Sequence, residues 1–214
     1  MSKKKEKRTR IRNPLKKEER LQKIITIGRK LFLKDGNKMS MRELARQMDI
    51  AVSGLYRYVQ NKRELWFACT NKEFEKFSKD LDEIEHQHKG NDVLLLRKVG
   101  NYFFNLANNN FPLFSFMFLP TPPSSNKDKG PFELQCERAG FTNLTKIITR
   151  AVRSGKIKEK DPILLSLAIW GFVLGPAIIS SPIYSYFFDD FSEKSFNPNE
   201  YHDYILSLMK NILK

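Results

Sequence analysis

Apolar residues recur at intervals of three and four along most of this chain, a spacing that places them on one face of a helix. In the first such stretch, five apolar side chains share a face: Leu21, Ile24, Ile25, Leu31 and Phe32. Clusters of Gly, Pro, Asn and Ser separate the stretches, and no alternating pattern typical of strands competes. The predicted helices are about 17–34, 41–48, 51–59, 61–86, 93–109, 131–153, 162–179 and 198–213. The pattern therefore predicts an all-α fold.

The second predicted helix has an explicit N-terminal signal. Ser40 is a favoured N-cap residue, and Glu43 three residues later completes the pattern of a capping box. Met39 and Leu44 flank the cap at the positions of a hydrophobic staple. Because a helix of two turns does not persist alone in water, this helix must depend on packing against its neighbours.

The residues that follow have the spacing of a helix-turn-helix. Ala45 is small enough for two helices to cross closely, and Asp49 lies in the turn, where Asp tolerates a left-handed conformation better than most residues. The apolar positions that lock the second helix across the first are Leu44, Met48, Ile50, Leu55 and Tyr58. The second helix, about 51–59, is expected to expose Val52, Ser53, Gly54, Tyr56 and Arg57. We therefore predict a DNA-reading helix-turn-helix over 40–59.

The charge of the chain is unevenly placed. The 214 residues carry a formal net charge of +14. Residues 1–63 hold 20 Lys and Arg against 6 Asp and Glu, whereas the remainder holds 18 of each. Since the whole excess lies in the first third, that part is expected to bind a polyanion such as double-stranded DNA, and the remainder a different partner. Taken by itself, the charge also fits a basic tail that only confers solubility.

Catalytic patterns are absent from the sequence. It contains no glycine-rich phosphate loop, no nucleophile motif and no carboxylate or histidine spacing suited to acid–base chemistry, so we do not expect an enzyme. Cys69 and Cys136 are too few for a disulfide framework or a metal knuckle, and they favour a cytoplasmic location. His86 and His88 form only a weak metal pattern, for which a solvated helix end is the preferred interpretation. We predict no cofactor and no metal.

One segment challenges the interpretation as a soluble protein. From Pro162 to Phe188 there is no charged residue, and Ile163–Ile179 is long enough to cross a bilayer. This segment contains two glycines and an internal proline, and no second such span accompanies it. A helix buried between two subunits has the same composition. Burial is therefore preferred, and no stable membrane insertion is expected.

Two stretches of the N-terminal third resemble the TetR family of transcriptional regulators. The first is Ile24–Phe32, followed by Leu44-Ala45, and the second is Leu55–Leu65, with its Leu-Tyr pair and Lys62. The resemblance covers about a fifth of the chain. It implies a three-helix DNA-binding domain, followed by a larger helical domain for effector binding and dimerisation. It further implies a homodimeric repressor on a palindromic operator, from which a small effector releases it.

The resemblance also implies roles for individual residues. Ser40 matches a phosphate-contacting position at a helix start, where unpaired backbone N–H groups favour an anion. Tyr56, Tyr58 and Lys62 match positions that bind the DNA backbone, although either tyrosine could instead pack as a core or rim side chain. The positions that read base edges or adjacent backbone are Val52, Ser53, Gly54 and Arg57. Arg57 is the one long donor among these four, and it is expected to bind a guanine.

Two residues depart from the family pattern. Asp49 stands where the turn glycine is usual, and Ala51 stands where Ser or Thr usually caps the recognition helix. Loss of that cap is expected to cost on the order of 1 kcal/mol.

We predict three regions along the chain: a basic arm over 1–14, a helix-turn-helix domain over 15–62, and an effector-binding and dimerisation domain over 63–214. The arm either enters a minor groove or is a disordered tail that adds sequence-independent, salt-sensitive affinity. The second interpretation is preferred. The helices over 162–179 and 198–213 are expected to form the dimer interface as a four-helix bundle.

An aromatic cluster in the third region is the candidate effector pocket. Its predicted lining is Phe103, Phe114, Met117 and Trp170. Apolar pockets with a few polar groups are the usual sites for small molecules, so the effector is expected to be apolar or planar. A Phe stripe at helical spacing is also typical of plain core. Without an effector, the protein would be a constitutive DNA-binding or architectural protein.

Overall fold

The computed structural model describes residues 14–139, 142–158, 161–181 and 196–212. Over these ranges the chain is helical and contains no strand, so the predicted all-α fold is confirmed. The helices of these ranges are α1 (Pro14–Asp35), α2 (Met41–Gln47), α3 (Val52–Leu55), α4 (Lys62–His86), α5 (Asp92–Asn109), α6 (Phe111–Phe118), α7 (Pro131–Ala139), α8 (Thr142–Arg153), α9 (Pro162–Ile179) and α10 (Pro198–Ile212). The basic arm up to residue 13 and the predicted helix end at Leu213 lie outside the described residues.

The recognition helix is shorter than predicted. Helix α3 has a single turn and not the predicted 51–59, and a hydrogen bond of 2.8 Å from Tyr58 N to Leu55 O continues it as a turn. Gly54 in its middle and an alanine at its N-cap both weaken a helix. Within the helix predicted over 131–153 the structure describes α7 and α8, and residues 140–141 between them lie outside the described residues.

The chain forms two compact units. The N-terminal unit comprises residues up to Cys69 together with the segment 122–134. Its buried apolar side chains include Ile24, Phe32, Leu44, Leu55 and Leu65. A Cβ added at Gly28 of α1 would lie 3.2 Å from Leu65 Cδ1 and 3.4 Å from Cys69 Sγ. Because of this close approach, α1 can pack directly on the first turns of α4.

The C-terminal unit comprises residues 70–121 and those from Gln135 onward. Helix α5 lies at its centre and packs against α6, α8, α9 and α10. Its inward side chains, among them Leu96, Phe103 and Phe104, are almost completely buried. The hydrophobic effect of this core holds the unit together, at roughly 1.5–3 kcal/mol for each fully buried large side chain.

Helix α9 is the one helix of the described ranges that is long and apolar enough to cross a bilayer. Asp161 caps its N-terminus, since Asp161 Oδ1 accepts from Ile163 N at 2.9 Å and from Leu164 N at 3.1 Å. One face of the helix, including Ile169 and Val173, is buried in the core of the C-terminal unit. The opposite face exposes 54% of Ile163, 64% of Leu164 and 53% of Leu167. The helix is therefore apolar on both faces but covered on only one.

Candidate nucleic-acid interface and effector cavity

The turn between α2 and α3 is closed by backbone hydrogen bonds to the end of α2. Asp49 has a φ of +51°, which confirms the predicted left-handed position. Ile50 N donates to Ala45 O and Asp49 N donates to Arg46 O, both at 3.1 Å. These two bonds are those of a Schellman motif, in which glycine is the usual residue. The motif determines the direction in which the chain leaves α2, at a backbone cost on the order of 1 kcal/mol for Asp49.

The N-terminus of α2 is capped by Ser40, as predicted. Ser40 Oγ accepts from the backbone N–H of Arg42 at 3.2 Å. The predicted capping box is wrong, because the Glu43 carboxylate accepts from Arg46 Nε at 2.8 Å and from Gln47 Nε2 at 2.7 Å. The hydrogen bonds from Arg46 and Gln47 lower the pKa of Glu43 to about 2. Charge-assisted bonds to a guanidinium outweigh a single bond to a neutral backbone N–H.

The recognition helix α3 and the turn after it present an exposed polar surface. Ser53 and Arg57 are exposed, Tyr56 is 49% exposed, and Val52 and Tyr58 are half-buried. Ser40 at the start of α2 is exposed as well. The predicted exposure of Gly54 is wrong, because this residue is buried, and a Cβ added to it would lie 3.7 Å from Ile50 Cβ. The predicted DNA contacts therefore have accessible side chains at Ser40, Ser53, Tyr56 and Arg57.

Lys62 begins α4 and contacts the turn after α1. Its ammonium donates to the backbone carbonyl of Asn37, which lies in the single 3-10 turn Gly36–Lys38. Burial lowers the pKa of Lys62. This contact, which the sequence analysis missed, ties the start of α4 to the end of α1. The predicted contact between Lys62 and DNA phosphate stays a prediction.

Substitution of Lys62 by alanine tests that phosphate contact. We expect Lys62→Ala to weaken binding to all DNA sequences and to flatten the slope of log affinity against log salt concentration by about one unit. The matched control is Lys79→Ala, which removes an exposed lysine several turns further along α4. Fluorescence anisotropy over a salt series measures both slopes. A slope that stays at the wild-type value in Lys62→Ala would exclude the contact.

An ion pair between a half-buried arginine and a buried carboxylate lies at the start of α4 within the N-terminal unit. Arg63 Nε donates to Glu133 Oε2 at 2.9 Å, and Arg63 Nη2 donates to the second carboxylate oxygen. Glu133 is only 3% exposed. The guanidinium of Arg63 also lies over the ring of Phe67, 5.3 Å from the ring centre. This pair joins α4 to the segment 122–134, which the chain reaches only after α5 and α6.

A second buried carboxylate lies beside this pair. Glu64 is 3% exposed and accepts from the backbone N–H of Phe132 at 3.0 Å. Burial raises the pKa of Glu64, the hydrogen bond from Phe132 opposes that shift, and the nearby Glu133 adds to it. The hydrogen bonds of Arg63 instead lower the pKa of Glu133. The two carboxylates therefore differ in how readily they ionise.

Arg63, Glu64 and Glu133 were not predicted to form a cluster. The one local signal in the sequence is the helix start at Asn61, which the structure confirms: Asn61 Oδ1 accepts from Glu64 N at 2.8 Å. Asn61 Nδ2 in addition donates to Ser125 Oγ at 3.0 Å. The residues that contact one another in this cluster are 60 to 70 positions apart in the sequence, so the spacing of neighbouring residues does not predict their contacts.

The C-terminal unit contains an apolar cavity of about 340 Å³. It is lined by Phe74, Phe77, Ser78, Leu81, Met117, Phe118, Thr142, Asn143, Leu144 and Trp170. A void of about 50 Å³ shares Phe77, Leu81, Leu144 and Trp170 with this cavity and extends to Phe103. Small-molecule pockets typically measure about 300–1,000 Å³, so the larger cavity is of a size to hold a ligand.

Three of the four predicted pocket residues lie at these two spaces. Trp170 lines both, Met117 lines the cavity and Phe103 lines the void. Phe114 lines neither and its place in the pocket is corrected, because it is fully buried against Phe103 and Phe118, with ring centres 5.0 and 5.2 Å away. The contribution of α4 to the cavity was not predicted from the sequence. Phe74, Phe77 and Leu81 stand three and four positions apart, a helical stripe that was a usable signal.

Comparisons with known proteins identify the fold. No protein-family model and no curated protein matches the sequence. The transcriptional regulator FadR from Bacillus subtilis, solved in complex with stearoyl-CoA, is 18% identical over 90% of this chain and 99% of its own, with a TM-score of 0.61. AibR, solved with isovaleryl coenzyme A and operator DNA, is 21% identical over 88% of this chain and 97% of its own, with a TM-score of 0.59.

A TetR-family transcriptional regulator from Pectobacterium atrosepticum is also similar. It is 19% identical over 94% of this chain and 96% of its own, with a TM-score of 0.62. The chain therefore has the fold of the TetR-family transcriptional regulators. The predicted resemblance to this family is confirmed at the level of the fold.

Proposed function

We propose that the protein is a soluble, cytoplasmic, homodimeric repressor that binds a specific operator and is released by an apolar effector. The observation that carries DNA binding is the helix-turn-helix, whose second helix and following turn expose Ser53, Tyr56 and Arg57. The charge excess of residues 1–63 supports the same conclusion, because phosphate neutralisation supplies most sequence-independent affinity. AibR, which has a similar fold, was solved on operator DNA.

Effector binding is supported by the 340 Å³ cavity of the C-terminal unit. Its walls are mainly aromatic and aliphatic, with Ser78, Thr142 and Asn143 as the polar members. FadR was solved with stearoyl-CoA and AibR with isovaleryl coenzyme A, so both bind an acyl group. We propose that an acyl chain occupies this cavity. The cavity favours this function over that of a constitutive architectural protein.

The dimer is proposed to form through α9 and α10, which pack against each other. Besides the exposed apolar face of α9, Tyr204 is 61% and Leu208 is 36% exposed on α10. Exposed apolar side chains on two neighbouring helices are typical of an interaction site. The same two helices of a second copy would cover it as a four-helix bundle. This arrangement also accounts for the composition of α9 without a membrane.

Footprinting on the DNA upstream of the protein's own gene tests the proposed function. We expect protection of two half-sites separated by about 34 Å or a multiple of it, as for other helix-turn-helix dimers. Addition of dodecanoyl-CoA is expected to remove the protection. Weak protection of all sequences, unchanged by acyl ligands, would instead identify an architectural protein.

Arg57→Ala separates sequence reading from general DNA affinity. A bidentate contact to guanine contributes about 1–3 kcal/mol of discrimination, so operator affinity should fall by that amount while affinity for scrambled DNA falls less. The matched control is Arg42→Ala, an exposed arginine on α2 with no predicted base contact, which should affect both DNAs alike. Anisotropy titrations with the two DNAs measure the difference. Equal losses on both DNAs for Arg57→Ala would refute base reading.

A further inference from the structure

A second, open cavity of about 800 Å³ lies along the outer face of α8. It is lined by Thr142, Thr145, Lys146, Thr149, Arg150, Arg153, Ser154 and Ile163. Its α8 members recur every three or four positions and so share one face of the helix. The opposite face, with Ile147, Ile148 and Ala151, is buried in the core. This groove has three cations in its lining and, among the described residues, no carboxylate.

One of the three cations is already neutralised. Arg150 forms ion pairs with Glu85 and, at 2.8 Å between Nη2 and Oδ1, with Asp92. Lys156 Nζ lies 3.6 Å from the other oxygen of Asp92, so two carboxylates face two cations in this cluster. Arg150 is therefore held in place by charges of the protein itself.

The other two cations, Lys146 and Arg153, are exposed and form no ion pair with a described residue. They are seven positions apart on α8, which is about 10 Å along the helix axis. Two positive charges without an ion-pair partner among the described residues thus remain in the groove, on residues two helical turns apart.

The groove and the apolar cavity meet at Thr142, which lines both. The cavity in turn shares Phe77 and Trp170 with the 50 Å³ void. The three spaces are therefore neighbours in the C-terminal unit: the groove is cationic and open to solvent, and the cavity and the void are apolar. A ligand that occupies both the cationic groove and the apolar cavity has an anionic head and an apolar tail.

We propose that Lys146 and Arg153 bind the phosphates of an acyl ligand whose chain lies in the apolar cavity. The proposal rests on the proposed function, because it concerns the head of the same effector. The carboxylate of a fatty acid is a single charge attached directly to the chain, whereas two cationic residues two turns apart on α8 are suited to a head that carries more than one anionic group. A head with separated phosphates, such as coenzyme A in thioester linkage, can reach both. A phospholipid-type head with one phosphate can reach one.

Calorimetric titration of the full chain tests this assignment with four probes: dodecanoyl-CoA, dodecanoate, dodecyl phosphate and coenzyme A alone. Wild type is expected to bind dodecanoyl-CoA more tightly than dodecanoate by on the order of tenfold or more, since charged hydrogen bonds are strong. This advantage should shrink as salt is added. If dodecyl phosphate binds as tightly as dodecanoyl-CoA, the head of the ligand carries a single phosphate. If the affinity for dodecyl phosphate lies between those for dodecanoate and dodecanoyl-CoA, the head is coenzyme A.

The double variant Lys146→Gln/Arg153→Gln is expected to lose most of the preference for dodecanoyl-CoA over dodecanoate. The matched control is Lys89→Gln/Lys98→Gln, which removes two exposed lysines of the same unit that line none of the three cavities. This control should keep the wild-type preference.

Two results would overturn the assignment. If the double variant keeps the full preference for dodecanoyl-CoA, the head does not bind at Lys146 and Arg153, while the acyl-binding cavity and the proposed function stand. If wild type binds none of the acyl probes, the effector class of the proposed function fails together with this inference.

Discussion

Leu167→Glu is expected to convert the protein into a folded monomer that binds its operator at least about a hundredfold more weakly. A dimer holds its second recognition helix at a high effective concentration beside the second half-site, an advantage of about 10²–10⁴ that the monomer loses. Leu167 lies on the uncovered face of α9 and is 53% exposed, so a carboxylate there costs little in the monomer. In the proposed interface the same carboxylate would be buried without a partner, which is strongly unfavourable.

The matched control for this variant is Leu94→Glu. Leu94 is an exposed leucine on α5, outside the proposed interface, and it is 43% exposed. Sedimentation equilibrium measures the oligomeric state of both variants, circular dichroism measures their folding, and anisotropy measures operator affinity. A Leu167→Glu protein that sediments as a dimer would rule out α9 as the interface.

Arg63→Met is expected to destabilise the N-terminal unit by about 3 kcal/mol, because it removes the guanidinium that hydrogen-bonds to the Glu133 carboxylate. Glu133 is 3% exposed in the wild type, so its carboxylate depends on protein groups for its hydrogen bonds. Chemical denaturation at neutral pH measures the loss. The matched control is Arg97→Met, which breaks the exposed pair of Arg97 and Asp203 at 3.3 Å. An exposed ion pair typically contributes about 0–1 kcal/mol.

The double variant Arg63→Met/Glu133→Leu distinguishes an unpaired charge from lost packing. Replacing both partners of a buried pair by apolar side chains is often neutral or stabilising. We therefore expect the double variant to recover most of the stability that Arg63→Met loses. If the two changes are simply additive, the pair is not coupled and the assigned role of Arg63 is wrong.

The pH dependence of Arg63→Met follows from the opposite pKa shifts of the two buried carboxylates. Arg63 lowers the pKa of Glu133, so the pair stabilises the wild type fully above the ordinary glutamate pKa and less as pH falls through the lower folded value. The pKa of Glu64 is raised by burial, so protonation of Glu64 stabilises the folded state as pH falls, the opposite of the effect of Glu133. In the variant, Glu133 lacks the guanidinium that favours its charged form, so protonation of this buried carboxyl stabilises the variant from above the ordinary glutamate pKa. The difference in unfolding free energy between wild type and variant should therefore shrink as pH falls towards about 4.3 and continue to shrink below it.

Most of the N-terminal site could be predicted from the sequence, because its geometry is local. Ser40 caps α2, Asp49 takes the left-handed turn position and Asn61 opens α4, each within three or four residues of its partner. Local pattern was also misleading in places. Glu43 has the capping-box spacing but bonds to Arg46, whose guanidinium is the stronger donor.

The effector cavity could be predicted only in part. Aromatic residues at helical spacing identify a buried face, but they do not show which rings pack together and which line a space. Phe103 and Phe114 belong to the same cluster in the sequence, yet Phe103 lines the void while Phe114 is fully buried. That difference depends on how α4, α5 and α6 pack against one another, which is a property of shape and not of composition.

The sequence by itself determined the all-α fold, the helix-turn-helix and the separation of a basic first third from a neutral remainder. These follow from periodicity, capping chemistry and charge, all of which act over a few residues. Only the tertiary structure revealed the Arg63–Glu133 pair and the meeting of a cationic groove with an apolar cavity at Thr142. Both bring together side chains from helices distant in sequence, and such contacts form because the chain must bury its apolar faces and satisfy every buried charge.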